Sequence, residues 1–397
     1  MDDRPPGNRS PKKDIKVLYL LSSPDGDHPI DMPILEQPFL LAPGKPHPNI
    51  TLRHYFDAIR RFVLEEKWQP FLAVLNASGK ERTGPPEIRQ ISIRSEKHGA
   101  LYHLTSIEVL GPDFRMKFAL STGVSRRGKD WLIHEFEVIR NLNRATMLPY
   151  LPRVYLNGEV RCPTGNGDEI LVMSMAEWFE DYHEWHLSLD ERKGGRKILI
   201  WDQYRGYSHA SMPEGCEIYR QAAKILSLYY DTRTFSQIYP WHHGAGDFVV
   251  KRDKAKIEVR LTTARKYEPI MVFREEAGIN PLVSLVYFFF NLTLQMRLDK
   301  LDGTGPVIWA EDWILTPVIE GFLDALRIKE RQGSNNPIKV NELLLLLKGF
   351  SREELLRLLD SLMDLHRYRD PGDYEVIQSH LKAHGGALHE CIQGIIG

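Results

Sequence analysis

Ile238-Tyr-Pro-Trp-His-His-Gly-Ala-Gly-Asp-Phe-Val-Val250 sets two histidines, two glycines and a carboxylate between a helical pattern and a β-branched run. Titratable side chains on a glycine-containing turn between regular elements are where scaffolds commonly hold chemistry. Two enzymatic readings and one structural reading fit these residues, and the choice among them decides both fold and function.

Working outward, Glu217 to Tyr230 has apolar residues at helical spacing (Ile218, Ala222, Ile225, Leu226, Tyr229). Downstream, Phe248–Lys251 and Ile257–Thr263 read as two strands joined by a charged turn. Farther upstream, three strands are predicted in 90–94, 100–110 and 116–121. A helix follows, with one face made by Leu132, Phe136, Ile139 and Leu142, and then two more strands at 153–159 and 169–175. A helical pattern also covers 51–75. The apolar run from Pro281 to Leu298 carries Ser284, Asn291, Thr293 and Gln295, so it reads as a buried helix, since a bilayer span needs about 20 predominantly apolar residues. Further helices are predicted near 315–329 and from 340 to 394, one of them opened by the capping box Ser351-Arg-Glu-Glu354. The leucines of this last region fit a packed subdomain, because they keep no sustained heptad.

At 397 residues the chain is too long for one small core. With 42% hydrophobic and 26% charged residues it has the composition of a globular protein. A net charge of −1 argues against general attraction to nucleic acid or anionic membranes. Cys162, Cys216 and Cys391 are scattered, without the spacing of a zinc site or disulfide framework, and imply a reducing, cytoplasmic setting. The polar, Pro-rich residues 1–13 read as a flexible tail without a signal peptide.

The order of three strands, helix, two strands, helix, loop and hairpin resembles the protein-kinase-like superfamily, including its aminoglycoside-phosphotransferase branch, over roughly residues 88–300. The resemblance implies a β-rich small lobe with one helix, a hinge, and a helical large lobe with two short strands beside the catalytic loop. Phosphoryl transfer there is mostly positioning and charge neutralisation by ATP-bound Mg2+. It implies that Ser121 stands where the family has its phosphate-binding lysine, with Lys117 nearby. Glu135, or its neighbour Glu137, matches the ion-pairing glutamate of the family's helix. Met175 and Glu177 fall on the strand and hinge that hold the base. Asp247 matches the metal-binding asparagine and His242 the catalytic aspartate, while Thr262 or Thr263 stands where a magnesium-holding aspartate belongs. Arg260, Arg265 and Lys266 follow and could neutralise a phosphate. Because hard magnesium needs oxygen ligands, these departures imply a degenerate, pseudokinase-like domain.

The second reading takes His242-His243-x-x-x-Asp247 as similar to the His-His-x-x-x-Asp-Gly motif of the condensation and acyltransferase superfamily, with His243 as general base. Phe248 replaces that motif's final glycine. The third reading is a glycine-permitted turn with hydrogen-bonded histidines. A metal site on His242, His243 and Asp247 would lack a separate third-ligand motif. Glu177 to His186 crowds carboxylates, aromatics and histidines, and reads either as a ligand-lining mouth or as an amphipathic turn burying Trp178, Phe179, Tyr182 and Trp185.

The sequence therefore predicts an α+β protein with a two-lobed, protein-kinase-like core. Its segments are a tail (1–13), an N-terminal extension with a helix (14–87), a β-rich small lobe (88–176), a mainly helical large lobe with a hairpin (177–300) and a C-terminal helical region (301–397). The expected function is a pseudokinase or atypical phosphotransferase binding a nucleotide or phosphorylated small molecule. An acyl or condensation-type transferase and a non-catalytic scaffold are the alternatives.

Overall fold

Alternating apolar and polar residues between Gln90 and Glu177 build the first of two units into which the chain divides. The structure is a computed structural model that describes residues 15–23, 26–42, 44–78, 86–99, 101–189, 195–202, 205–242, 246–254, 256–270, 280–333, 339–369 and 371–395. The first unit comprises residues 1–143 and 152–180, the second residues 144–151 and 181–397. Both mix helices with strands, so the chain is an α+β protein.

In the first unit the elements are β1 (Lys16–Ser23), β2 (Gly26–Pro29), α1 (Met32–Leu35), β3 (Pro38–Ala42), β4 (Lys45–Thr51), α2 (Leu52–Arg61), α3 (Trp68–Ser78), β5 (Gln90–His98), β6 (His103–Leu110), β7 (Arg115–Gly123), α4 (Arg126–Thr146), β8 (Val154–Thr164) and β9 (Gly167–Glu177). A seven-stranded sheet runs β2-β1-β5-β6-β7-β9-β8. All its pairs are antiparallel except β1 with β5, which run parallel from Lys16 beside Gln90 to Leu21 beside Ser95. Residues 16–78, read from sequence as an extension, belong to this unit. Tyr55, Phe56 and Ile59 of α2, with Phe62 and Phe71, pack into one core with Ile91, Ile107, Phe118 and Met173 of the sheet.

The helical pattern over 51–75 is broken in the structure. Phe62–Glu66 form a π turn closed by Lys67 N–H to the Phe62 carbonyl at 2.9 Å, and a new helix starts at Trp68. Pro70 supplies the reason, since it has no N–H to give the Glu66 carbonyl and its ring crowds the preceding turn.

The second unit contains β10 (His183–Leu189), β11 (Arg196–Asp202), β12 (Gly206–His209), α5 (Met212–Tyr229), β13 (Ser236–Tyr239), β14 (Phe248–Asp253), β15 (Lys256–Leu261), β16 (Lys266–Pro269), α6 (Pro281–Gln295), β17 (Leu298–Lys300), β18 (Val307–Trp309), α7 (Leu315–Arg331), α8 (Val340–Gly349), α9 (Arg352–Ser361), α10 (Met363–Arg369) and α11 (Pro371–Gly394). Its main sheet runs β12-β11-β10-β14-β15. The three strands β10, β11 and β12 stand where the sequence reading expected helix or an amphipathic turn. Trp185 and Leu187 of β10 face Ile200 and Ile198 of β11; on β11 the buried Ile198 and Ile200 flank the less buried Leu199, which is a strand period.

Helix α5 opens on a capping box in which Ser211 and Glu214 satisfy each other's backbone N–H groups. It packs on α7 where Gly321 lies against the Arg220 backbone; a Cβ there would overlap the Arg220 carbonyl oxygen, so glycine sets how closely these helices approach. Helix α6 is buried along most of its length, from Ser284 to Leu294. No helix among the described residues is long and apolar enough to cross a membrane.

Candidate functional site

Helix α5 and strand β13 lead into the 240–247 segment, and the β14–β15 hairpin leads out of it. Strand β13 pairs with β16, Ile238 beside Tyr267, so the entry and exit of the whole stretch are tied together. The Tyr239–Pro240 peptide bond is cis. The hairpin register, Phe248 beside Leu261, brings Thr262 next to Asp247, whose carbonyl accepts the Thr262 N–H at 2.8 Å.

Asp247 is 2% exposed and both its carboxylate oxygens accept hydrogen bonds from protein donors. The Arg265 guanidinium donates to both oxygens, Nη2 to Oδ1 at 2.7 Å and Nη1 to Oδ2 at 2.8 Å. The His242 backbone N–H adds a third bond to Oδ2 at 2.8 Å, and Arg265 Nη1 also reaches the Pro240 carbonyl at 3.1 Å. This fork-to-fork pair is the strongest geometry available to a guanidinium and a carboxylate. Together these bonds staple residues 240, 242 and 247 to one cation. Trp241 adds an edge-to-face contact with Phe248, ring centroids 5.8 Å apart.

The His242 imidazole lies 3.8 Å from Asp373 of α11, away from the carboxylate its own backbone binds. His243 lies outside the described residues, as do Gly244 and Ala245. Thr263 is buried, and Thr262 Oγ1 donates to the Gly246 and Asp247 carbonyls, both at 3.2 Å. Arg260 donates to Tyr182 Oη at 3.1 Å and to the Pro149 carbonyl, while Lys266 lies 3.4 Å from Glu268. Among the described residues no group of three or more His, Cys, Asp or Glu side chains could hold a metal ion.

The other candidates belong to the first unit. Ser121 sits on β7, opposite Leu104 of β6 and Ser174 of β9. Glu135 is buried on α4 and accepts a hydrogen bond from Tyr102 Oη, a partner that the resemblance drawing attention to Glu135 did not indicate. Met175 is part of the buried core. Glu177 accepts the Arg153 N–H at 3.1 Å through Oε2, and its own N–H donates to the Arg153 carbonyl at 2.8 Å, so it clamps the start of β8 to the end of β9. Lys117 lies 3.6 Å from Glu96 and 4.0 Å above the Trp178 ring; burial lowers its pKa while Glu96 opposes the shift. Glu96 is also shared with Arg94, at 2.8 Å.

Of the residues singled out from sequence, the structure thus brings together His242, Asp247 and Arg265, and places Ser121, Glu135, Met175 and Glu177 on β7, α4 and β9 of the other unit. The acidic-aromatic run enters β10, where Trp185 packs edge-to-face on Tyr219, ring centroids 5.4 Å apart. Compared with known proteins, the chain matches no family model, and no curated protein is significantly similar to it.

Proposed function

We propose that the chain is a pseudokinase, a protein-kinase-like fold whose 240–265 stretch serves as a structural knot and carries out no metal-dependent phosphoryl transfer. Part of the element order supports the fold half of this reading: three strands, a helix and two strands (β5–β9 with α4), and farther on helix α5, the loop and the β14–β15 hairpin, with the additional strands β10–β12 before α5 and β13 after it. One observation carries the functional half. The carboxylate at the expected metal position already has both oxygens committed to Arg265, a cation that a magnesium ion would have to displace from a buried site. Ser121 and Thr263 bring no charge to the places where such an enzyme needs a lysine and an aspartate. The activity left to such a domain is binding, and a nucleotide or phosphorylated small molecule is the ligand class this reading names.

The test is a thermal-shift titration with ATP, run in magnesium and again in EDTA, beside an assay for phosphate release. The expected result is no phosphate above the protein-free control and the same stabilisation by ATP with and without the metal; no shift in either condition would favour a non-catalytic scaffold instead. Magnesium-dependent stabilisation that Asp247→Ala abolishes would overturn the proposal.

A second reading, acyl transfer with His243 as base, draws on one observation: strand β13 ends immediately before the segment, and Asp247 holds the loop together, as the aspartate of that motif does. It predicts stabilisation by an acyl-coenzyme A that is lost in His243→Ala.

A further inference from the structure

The β5–β6 hairpin closes on two histidines. His98 ends β5, His103 begins β6, and the two are partners in the ladder. A register shift between Ser95 and Lys97 inserts a bulge just before the turn, and Gly99 N–H closes that turn on the Tyr102 carbonyl at 3.0 Å. Bulges re-aim side chains. Here the two rings meet with centroids 4.1 Å apart and planes 65° apart, and their Nδ1 atoms stand 3.0 Å from each other.

The pair is also held from behind. His103 Nε2 is 2.8 Å from Ser95 Oγ, which fixes the far side of that ring. Phe39 lies 5.4 Å from both imidazoles and Tyr55 5.1 Å from His103. His103 is 4% exposed, whereas His98 lies at the surface. A ligating imidazole whose other nitrogen is fixed by a hydrogen bond, beside one open to solvent, is the usual construction of a metal site.

We propose that His98 and His103 form a two-imidazole chelate for a divalent transition metal, with copper(II) and nickel(II) preferred over zinc(II). The preference for copper(II) follows the general order of affinity of nitrogen ligand sets for divalent first-row ions, and the separation of the two rings is compatible with it. Two nitrogens 3.0 Å apart subtend about 95° at an ion about 2.05 Å from each. That is close to the right angle between neighbouring positions of a square-planar or octahedral ion, and well short of the tetrahedral angle that zinc favours. The remaining positions open on the His98 side and fall to water or to an external donor.

The proton balance is simple. Two neutral imidazoles 3.0 Å apart share one N–H···N bond. On metal binding, the ring that carries the Nδ1 proton changes tautomer and carries it on Nε2 instead. Both Nδ1 lone pairs become free and no proton is released. Burial supports the neutral forms by lowering the pKa of both rings, that of His103 to about 3.

The experiment is calorimetric titration of the tag-free full chain at pH 7.5 with copper(II), nickel(II) and zinc(II) salts, with electron paramagnetic resonance of the copper form. The expected result is one saturable site of affinity order copper, nickel, zinc and a tetragonal copper spectrum coupled to two imidazole nitrogens. His98→Gln keeps both a donor and an acceptor for the contact with His103 Nδ1 and sits at the surface, so the fold survives; copper affinity should fall at least tenfold. Wild-type affinity in His98→Gln, or a copper spectrum without imidazole coupling, overturns the proposal. A wild-type chain that takes up no copper overturns it as well.

Discussion

Asp247→Asn tests the knot most directly. The substitution keeps size and shape, leaves one acceptor oxygen, and removes the charge that faces Arg265. Removing one partner of a fully buried pair costs ~3–5 kcal/mol, because the other charge is left without compensation. The Arg265 side chain keeps 17% exposure and its bond to the Pro240 carbonyl, so part of that cost is relieved by water. A loss of ~2–3 kcal/mol follows for the second unit. For a unit of this size each kcal/mol moves Tm by about 2–4 °C, so the drop should be roughly 5–10 °C. Urea denaturation followed by tryptophan fluorescence is a suitable assay, since Trp241 lies between Pro240 and His242, the residues bonded to Arg265 and Asp247. Arg265→Met alone should cost more, because it strands a carboxylate that is 2% exposed. The double variant should recover at least ~1 kcal/mol of the summed losses. If Asp247→Asn unfolds within ~0.5 kcal/mol of the parent and the double-mutant cycle shows no coupling, the knot does not hold the segment.

Three further outcomes are expected. Gly321→Ala drives a Cβ into the Arg220 carbonyl and must part α5 from α7, costing at least ~1–3 kcal/mol, read as a lower urea midpoint. Ser351→Ala removes the cap of α9 and should cost ~1 kcal/mol, with the mean-residue helicity of the folded chain almost unchanged. His186 is buried 3.6 Å from Asp299 and 3.9 Å from Glu184; burial lowers its pKa, but the two carboxylates outweigh this and raise it. A histidine raised above its unfolded value stabilises fully below about pH 6.5, and that contribution fades as pH rises through the folded pKa. The stability advantage of the parent over His186→Gln should therefore be larger at pH 6 than at pH 8.5, and an advantage that grows with pH would contradict the assignment.

Much of the element order was legible because periodicity reports burial. Leu132, Phe136, Ile139 and Leu142 of α4 are the buried stripe that their spacing implied, and the Ser351 capping box opens α9. Helix α6 is buried as its apolar run suggested. The strands β10 and β11 were hidden by composition: Glu184 and His186 flank Trp185 in an acidic-aromatic run, and Arg196-Lys197 open β11 at the end of a basic cluster, ahead of Ile198 and Ile200. The Asp247–Arg265 pair was not legible for a different reason. Each residue was visible as a candidate, but their meeting depends on how a hairpin and three further residues fold back, and a charge pair leaves no periodic trace. The same holds for Tyr102 and Glu135, and for the imidazoles of His98 and His103, whose separation is set by a bulge that no local pattern announces.

The parallel pairing of β1 with β5 carries a consequence for how the protein is made. As the ribosome extrudes the chain, β1 can pair with β2 on one edge, but its other edge has no partner until Gln90–His98 have emerged, so the hydrogen-bonding groups of that edge wait through α2 and α3. Parallel pairings of this kind form late, because a long loop must close first. A version of the protein starting after Pro29 would leave the flank of β5 bare from birth, a ready template for another copy, and the price would appear as inclusion bodies.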